Sequence, residues 1–410
     1  MPPNTLTILL AGGRGARLEP LTSDRAKPAV PFGGKYRVVD FTLSNCLHSG
    51  LRRVLVLTQY KSHSLQKHLR DGWSIFNAEC GEFITIVPPQ MRTGQSWYSG
   101  TADAIYQNLF LLERSETDTV LILAADHIYR MDYAALLATH HEKGADLTIA
   151  CMSVPLGEAA RAFGVMGVDA DERVVEFAEK PENPKPIPGE PDFALASMGI
   201  YVFSAERLHE ALVEDSERAD SSHDFGKDVI PRLIGMPRVY AYRFGGTRGR
   251  VTPDRYWRDV GTLDAYYEAN MDLLKPVPPL DLYQRDWGIR TYHGQNPPAR
   301  MVPGSNGRDG LLTNSILGSG TVIVGGTVRH SILASRVRVE EGAAVDDSIL
   351  FDNVTVGAGA ALRRCIVDKG VKIPPGETIG FDPGKDRERF TLSENGVVVV
   401  PKGYRFSGLW

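Results

Sequence analysis

The sequence predicts an α/β domain followed by a parallel β-helix, and three observations carry that expectation. From residue 6 to about residue 272, short β-branched runs alternate with segments of helical period. A break follows at Lys275-Pro276-Val277-Pro278-Pro279-Leu280, where proline removes backbone donors and fixes φ. Beyond about Val302 the helical period disappears, and apolar residues recur every 17 positions.

In the first part the β-rich runs are 6–10, 54–58, 120–124, 147–153 and 198–203, and the helix candidates are 40–48, 101–113, 133–142, 205–213 and 263–274. Strand-helix-strand crossovers of this kind predict a mainly parallel sheet, with ligands beyond the carboxyl ends of its strands. The expected division is 1–274 for this domain, 275–301 for a linker along the surface, and 302–410 for the second domain. In the second domain Val322, Val339, Val356 and Ile373 form one set, and Val328, Val345, Leu362 and Ile379 another. Ile332, Ile349 and Ile366 form a third. Six residues separate the first two sets, the hexapeptide step of a solenoid, and three inward positions per coil describe a triangle.

A chain of 410 residues with 42% hydrophobic content can bury two cores. No apolar run approaches the roughly 18 residues of a membrane span. The first residues lack a basic start and an apolar core, so a cytoplasmic protein without a membrane partner is expected. Cys46, Cys80, Cys151 and Cys365 are scattered singly and are expected to be reduced. A net charge of −4 argues against a nucleic-acid partner and leaves room only for a local anion pocket.

Such a pocket has its pieces. The first strand runs into Gly12-Gly13-Arg14-Gly15, where glycines let backbone amides approach phosphates and Arg14 adds charge. Lys27 lies in the proline-stiffened Arg25-Ala26-Lys27-Pro28, suited to a phosphate oxygen. Asp126 follows a buried run and Asp259 precedes a helix; each alone could be a helix cap, but two acids with an Arg/Lys pair fit metal-assisted nucleotidyl transfer. Tyr98 and Gly100 precede a helix and could receive a base, while Glu179 and Lys180 could take sugar hydroxyls and phosphate or form a surface ion pair. The histidines form no metal set by spacing, and no Gly-x-Ser-x-Gly elbow is present.

Together these pieces resemble the sugar-nucleotide pyrophosphorylases, and specifically the bacterial-type ADP-glucose pyrophosphorylases. The likeness is carried by Ala11-Gly12-Gly13-Arg14-Gly15, Phe32-Gly33-Gly34-Lys35-Tyr36-Arg37, Trp97-Tyr98-Ser99-Gly100-Thr101, Asp126-His127-Ile128-Tyr129, Phe163-Gly164-Val165-Met166, Ser222-His223-Asp224-Phe225-Gly226 and Tyr256-Trp257-Arg258-Asp259. It implies a Rossmann-like nucleotidyltransferase domain, a left-handed parallel β-helix and a homotetramer. The implied reaction joins ATP and glucose 1-phosphate into ADP-glucose and diphosphate, the committed step of glycogen synthesis, with small-molecule allosteric effectors. The resemblance assigns Mg²⁺ to Asp126 and Asp259 and triphosphate stabilisation to Arg14 and Lys27, so Arg14, Lys27 and Asp126 are the expected catalytic set. It places glucose 1-phosphate near Tyr98, Gly164, Glu179, Lys180 and Ser197, while the reading of the glycine loop and of the turn before the helix gives Gly12 and Gly13 to the phosphates and Gly100 to the base. Many relatives carry a lysine of the activator site where this chain has Glu19, so an altered effector preference is expected. Rival readings are a pyrophosphorylase for another nucleotide or sugar, a non-catalytic regulatory subunit, and a β-helix acyltransferase; for the last, the repeat offers only His330 as a base.

Overall fold

A computed structural model describes residues 4–90, 97–246, 249–251, 255–305 and 307–406. The first domain is built on a nine-stranded sheet. Its strands are β1 (Thr5–Ala11), β2 (Arg53–Thr58), β3 (Phe83–Val87), β4 (Thr119–Ala124), β5 (Leu147–Pro155), β6 (Gly164–Val168), β7 (Val174–Glu179), β8 (Phe193–Ser204) and β9 (Val239–Arg243). The spatial order is β7-β6-β8-β4-β1-β2-β3, with β5 also on β8 and β9 beside β5. Alternate residues of the central strands face two different cores. Ile8 and Ile122 join one, Leu9 and Leu123 the other, and burial on both faces makes the runs continuously apolar.

The sheet is mixed rather than mainly parallel. β4, β1, β2 and β3 are parallel, as are β5 and β9, but β8 runs antiparallel to β4, β5 and β6. Because β8 is buried on both faces, its sequence looks like that of its parallel neighbours, and direction leaves no mark in such a run. The register of β8 against β5 shifts between Ser197 and Tyr201, and this bulge turns Gly199 (φ 68°) toward the ends of β1 and β4. The expected helix 101–113 is two pieces, Thr101–Tyr106 and Leu109–Glu113. Between them the Asn108 amide donates to the Ala104 carbonyl and to the Tyr98 hydroxyl, so the break anchors Tyr98.

The second domain consists of three sheets of five, five and six strands, all paired in parallel except one antiparallel strand at the edge of the last. Two readings of the repeat need correction. Val339 pairs with Ile323 rather than Val322, so the step between these two strands is a residue shorter than the period. Ile332, Ile349 and Ile366 are not inward positions: Leu333, Leu350 and Val367 fill the solenoid, while the three isoleucines join a core with Phe32, Phe41 and Tyr266 of the first domain. A 17-residue period holds equally for both faces of a strand buried on both sides.

The connecting segment does not simply run over the surface. Trp287 is buried, with its indole N–H donating to Asn45, and Leu280 is fully buried. Across the domain boundary Arg25 and Asp368 form an ion pair at 2.9 Å, with side chains 4% and 1% exposed. Removing one partner of such a pair leaves an uncompensated buried charge. Arg25→Met is expected to lower stability by roughly 3–5 kcal/mol, and the double variant with Asp368→Leu by less. Urea unfolding followed by tryptophan fluorescence measures both.

Candidate active site

A cavity of about 730 Å³ opens beyond the carboxyl ends of β1, β2 and β4. β1 delivers Gly12, Gly13 and Arg14 to one wall. Gly15 needs its left-handed φ of 65°, and a Cβ there would meet the Lys27 stem at 3.2 Å, so the glycine loop lies directly against Lys27. The loop ends in a single 3₁₀ turn, Ala16–Leu18, and Arg14 is exposed in the cavity wall.

Asp126 stands just past the end of β4, and a two-stranded ribbon of His127–Tyr129 with Trp257–Asp259 brings Asp259 opposite it. Lys27 Nζ donates to Asp126 Oδ2 at 2.9 Å and to Asp259 Oδ1 at 2.8 Å. The lysine side chain is 8% exposed, whereas the carboxylates are 36% and 27% exposed. Burial alone would push the Asp126 carboxyl up; the Lys27 ammonium, with His127 beside it, outweighs burial and holds it well below the usual carboxylate range. Burial would likewise lower the Lys27 ammonium, and the two carboxylates more than offset it. Neither acid is a helix cap: β4 leads into another strand, and the helix after Asp259 is capped by Thr262.

Asp126, His127 and Asp259 can each present one ligand atom within 4.8 Å of the others. Two carboxylate oxygens suit a hard divalent cation. The sequence reading kept histidine out of this group because its spacing rule concerns histidine pairs, while His127 arrives by adjacency to Asp126.

The far wall carries Tyr98, Gly100, Glu179, Tyr201 and Asp224. Tyr98 is buried, and its backbone carbonyl accepts from the Gln59 amide at 3.2 Å. Glu179 ends β7; burial pushes its carboxyl up while Lys180, 3.3 Å away, pulls it back. A Cβ at Gly164 would lie 2.9 Å from Glu179 Oε2, and one at Gly226 2.6 Å, so two glycines make room for this carboxylate. Gly164, Lys180 and Ser197 do not line the cavity themselves. Gly164 backs Glu179, Lys180 pairs with it, and Ser197 is buried beneath the bulge, where its hydroxyl accepts from the Gly199 amide.

A strand-end glycine loop, a cation bridging two acids and a second polar wall form a site for transferring a charged group. The family comparison agrees with this layout: residues 6–276 match the model described as nucleotidyl transferase. The chain belongs to the nucleotidyl transferase family. Residues 297–400 match a model described as GlmU-like, C-terminal hexapeptide, in agreement with the left-handed β-helix. Relatives of this nucleotidyl transferase are similar along nearly their whole length. Glucose-1-phosphate adenylyltransferase 2 of Vibrio cholerae is 62% identical over 98% of this chain and 99% of its own. The glucose-1-phosphate adenylyltransferases of Rhodopirellula baltica and Methylobacillus flagellatus are 52% and 51% identical, covering 98% and 97% of this chain and 91% and 93% of their own.

Sequence reasoning did not place Gln59 or Asp224 in the nucleotidyl transferase cavity. Gln59 follows β2 directly, so the strand-end rule that found Asp126 would have found it too. Asp224 caps a π-helical turn, Phe225–Val229, which has no periodic signal; its carboxylate accepts from Thr101 Oγ1 at 3.0 Å. Gly100 sits against this loop, and a Cβ there would lie 2.2 Å from the His223 carbonyl oxygen, which accepts from the Ala102 amide. Gly100→Ala therefore pushes backbone from backbone. The expected cost is about 1–3 kcal/mol, with faster hydrogen exchange at the Ala102 amide, both measurable on the purified variant.

Proposed function

We propose that the chain transfers the adenylyl group of ATP to glucose 1-phosphate, forming ADP-glucose and diphosphate. The observation that carries this reading is the Lys27-bridged acid pair beside the glycine loop, in a chain similar end to end to enzymes named for that reaction. The glycine loop with Gly12 and Gly13 would hold the triphosphate, with Arg14 and Lys27 neutralising its charge. Gly100 would border the nucleotide, and Tyr98, Glu179 and Asp224 would hold the sugar phosphate, backed by Gly164, Lys180 and Ser197. Asp126 and Asp259 would hold Mg²⁺, which when bound withdraws charge from the phosphates.

A phosphate oxygen of glucose 1-phosphate forms a bond to the α-phosphorus of ATP. The bond from that phosphorus to the β-bridging oxygen breaks, and its electron pair leaves with diphosphate. The nucleophile is already ionised, so no general base is required. The residues' task is alignment of the two phosphates and neutralisation of charge.

We place the enzyme in the cytoplasm, at the committed step of glycogen synthesis, as a homotetramer. Exposed Met301 and Leu311 at the open first coil support association with another copy. A second cavity, of about 230 Å³, lies between the domains and is lined by Lys35, Arg37, Arg336 and Lys369 with Asp352. Burial lowers both lysines; Lys369 already pairs with Asp352 at 2.6 Å, and an arriving anion would add to the charge that offsets their burial. This supports regulation by a phosphorylated metabolite. Glu19 is exposed and does not line that cavity; an acid at this position would repel a phosphorylated ligand that reached it. Glu19→Lys is expected to increase activation by fructose 1,6-bisphosphate severalfold, read from activity against effector concentration; activation already strong in the unaltered enzyme would contradict the role given to Glu19.

Purified protein with ATP, glucose 1-phosphate and Mg²⁺ should yield ADP-glucose, identified by mass spectrometry. Asp126→Ala should lower kcat by about 10²–10³. Glu179→Gln should raise the KM for glucose 1-phosphate about tenfold with a smaller change in kcat, as loss of a charged hydrogen bond to bound sugar. No ADP-glucose from the unaltered protein would overturn the reading.

A further inference from the structure

The two carboxylates that suit a divalent cation already hold a cation of the chain's own. Lys27 Nζ lies within 2.9 Å of an oxygen of each, and its side chain is covered while theirs reach the cavity. An ion bound through those same oxygens would compete with this ammonium for their lone pairs and stand within a few ångströms of it. Two cations in so small a volume repel strongly in a partly desolvated site, and the flexible four-carbon stem of lysine gives the ammonium a way out.

We propose that Lys27 is a displaceable counter-cation, so that its ammonium and a divalent cation compete for Asp126 and Asp259. The inference rests on the metal-assisted transfer proposed above. Without metal, Lys27 neutralises two acids that would otherwise repel one another. When the ion arrives it takes over that neutralisation and releases the ammonium. The released ammonium has room beside it: Lys27 and the glycine loop line the same cavity, and a Cβ added at Gly15 would stand 3.2 Å from the Lys27 Cβ, so the triphosphate proposed at that loop lies within the stem's reach. Metal binding and phosphate binding are thereby ordered through one side chain.

The test uses Mn²⁺ alone, without nucleotide, and the full-length chain. Free Mn²⁺ is read by electron paramagnetic resonance during titration of the unaltered protein, Lys27→Met and Arg14→Met. Arg14 lines the same cavity and makes no ion pair with either acid among the described residues, so it controls for general loss of positive charge. The expected result is Mn²⁺ binding at least about tenfold tighter in Lys27→Met, little change in Arg14→Met, and loss of binding when Asp126→Asn is added. Equal tightening in both single variants, or no tightening in Lys27→Met, overturns the proposal. Should Lys27→Met not fold, the unaltered chain still decides: Mn²⁺ should speed acylation of the Lys27 amine, read by peptide mass spectrometry, and a rate unmoved by Mn²⁺ overturns it. If the Mn²⁺ result holds while no ADP-glucose forms, the functional reading fails and the competition stands. If ADP-glucose forms and the affinities do not move, the competition fails alone.

Discussion

Two carboxylates held face to face in a partly dry cavity repel one another, and the molecule is arranged so that a single ammonium resolves the conflict. Asp126 arrives just past a central strand and Asp259 on a ribbon late in the domain; the ribbon pairing sets them opposite one another, and Lys27 bridges them. Lys27 in turn is set by a stiff turn whose neighbours are themselves fixed. Ala26 and Val30 are buried, Pro28 constrains the backbone, and Gly15 admits the lysine stem. Charge balance at the acid pair, the shape of the glycine loop and the path of residues 25–30 are thus one constraint.

That same segment reaches the second domain. Arg25, two residues before Lys27, pairs with Asp368 of the β-helix, and Phe32, just after it, packs in the core that receives Ile332, Ile349 and Ile366. The solenoid is therefore a wall of the segment that carries the bridging lysine. The basic interdomain cavity includes Arg37 from the same stretch and Lys369 from beside Asp368, so an anion bound there would touch both ends of this connection. The shared element, Arg25 to Arg37, is about a dozen residues long.

Most of the architecture was legible in the sequence because burial on two faces writes long apolar runs and a solenoid writes a fixed period. What such patterns omit is sign. The run at 198–203 was recognised as strand, but its antiparallel direction was not, and Ile332 was recognised as periodic, but the side it faces was not. The strand that ends at Glu179 was legible from its position before Lys180-Pro181, although most of its residues are at least partly exposed. At the site, Asp126 and Lys27 were legible from strand-end position and proline stiffness. Asp224 lies on a π-turn reached from far along the chain, and His127 joins the acids through a ribbon pairing that no local spacing encodes.

The claim on which this account stands is that the charge-balanced cavity activates an adenine nucleotide toward a sugar phosphate. The most direct measurement is diphosphate release from the purified protein with glucose 1-phosphate and Mg²⁺, comparing ATP with UTP, dTTP, CTP and GTP. The account predicts strong preference for ATP and release that depends on glucose 1-phosphate. Equal or greater release with another nucleotide, or none with ATP, would contradict it.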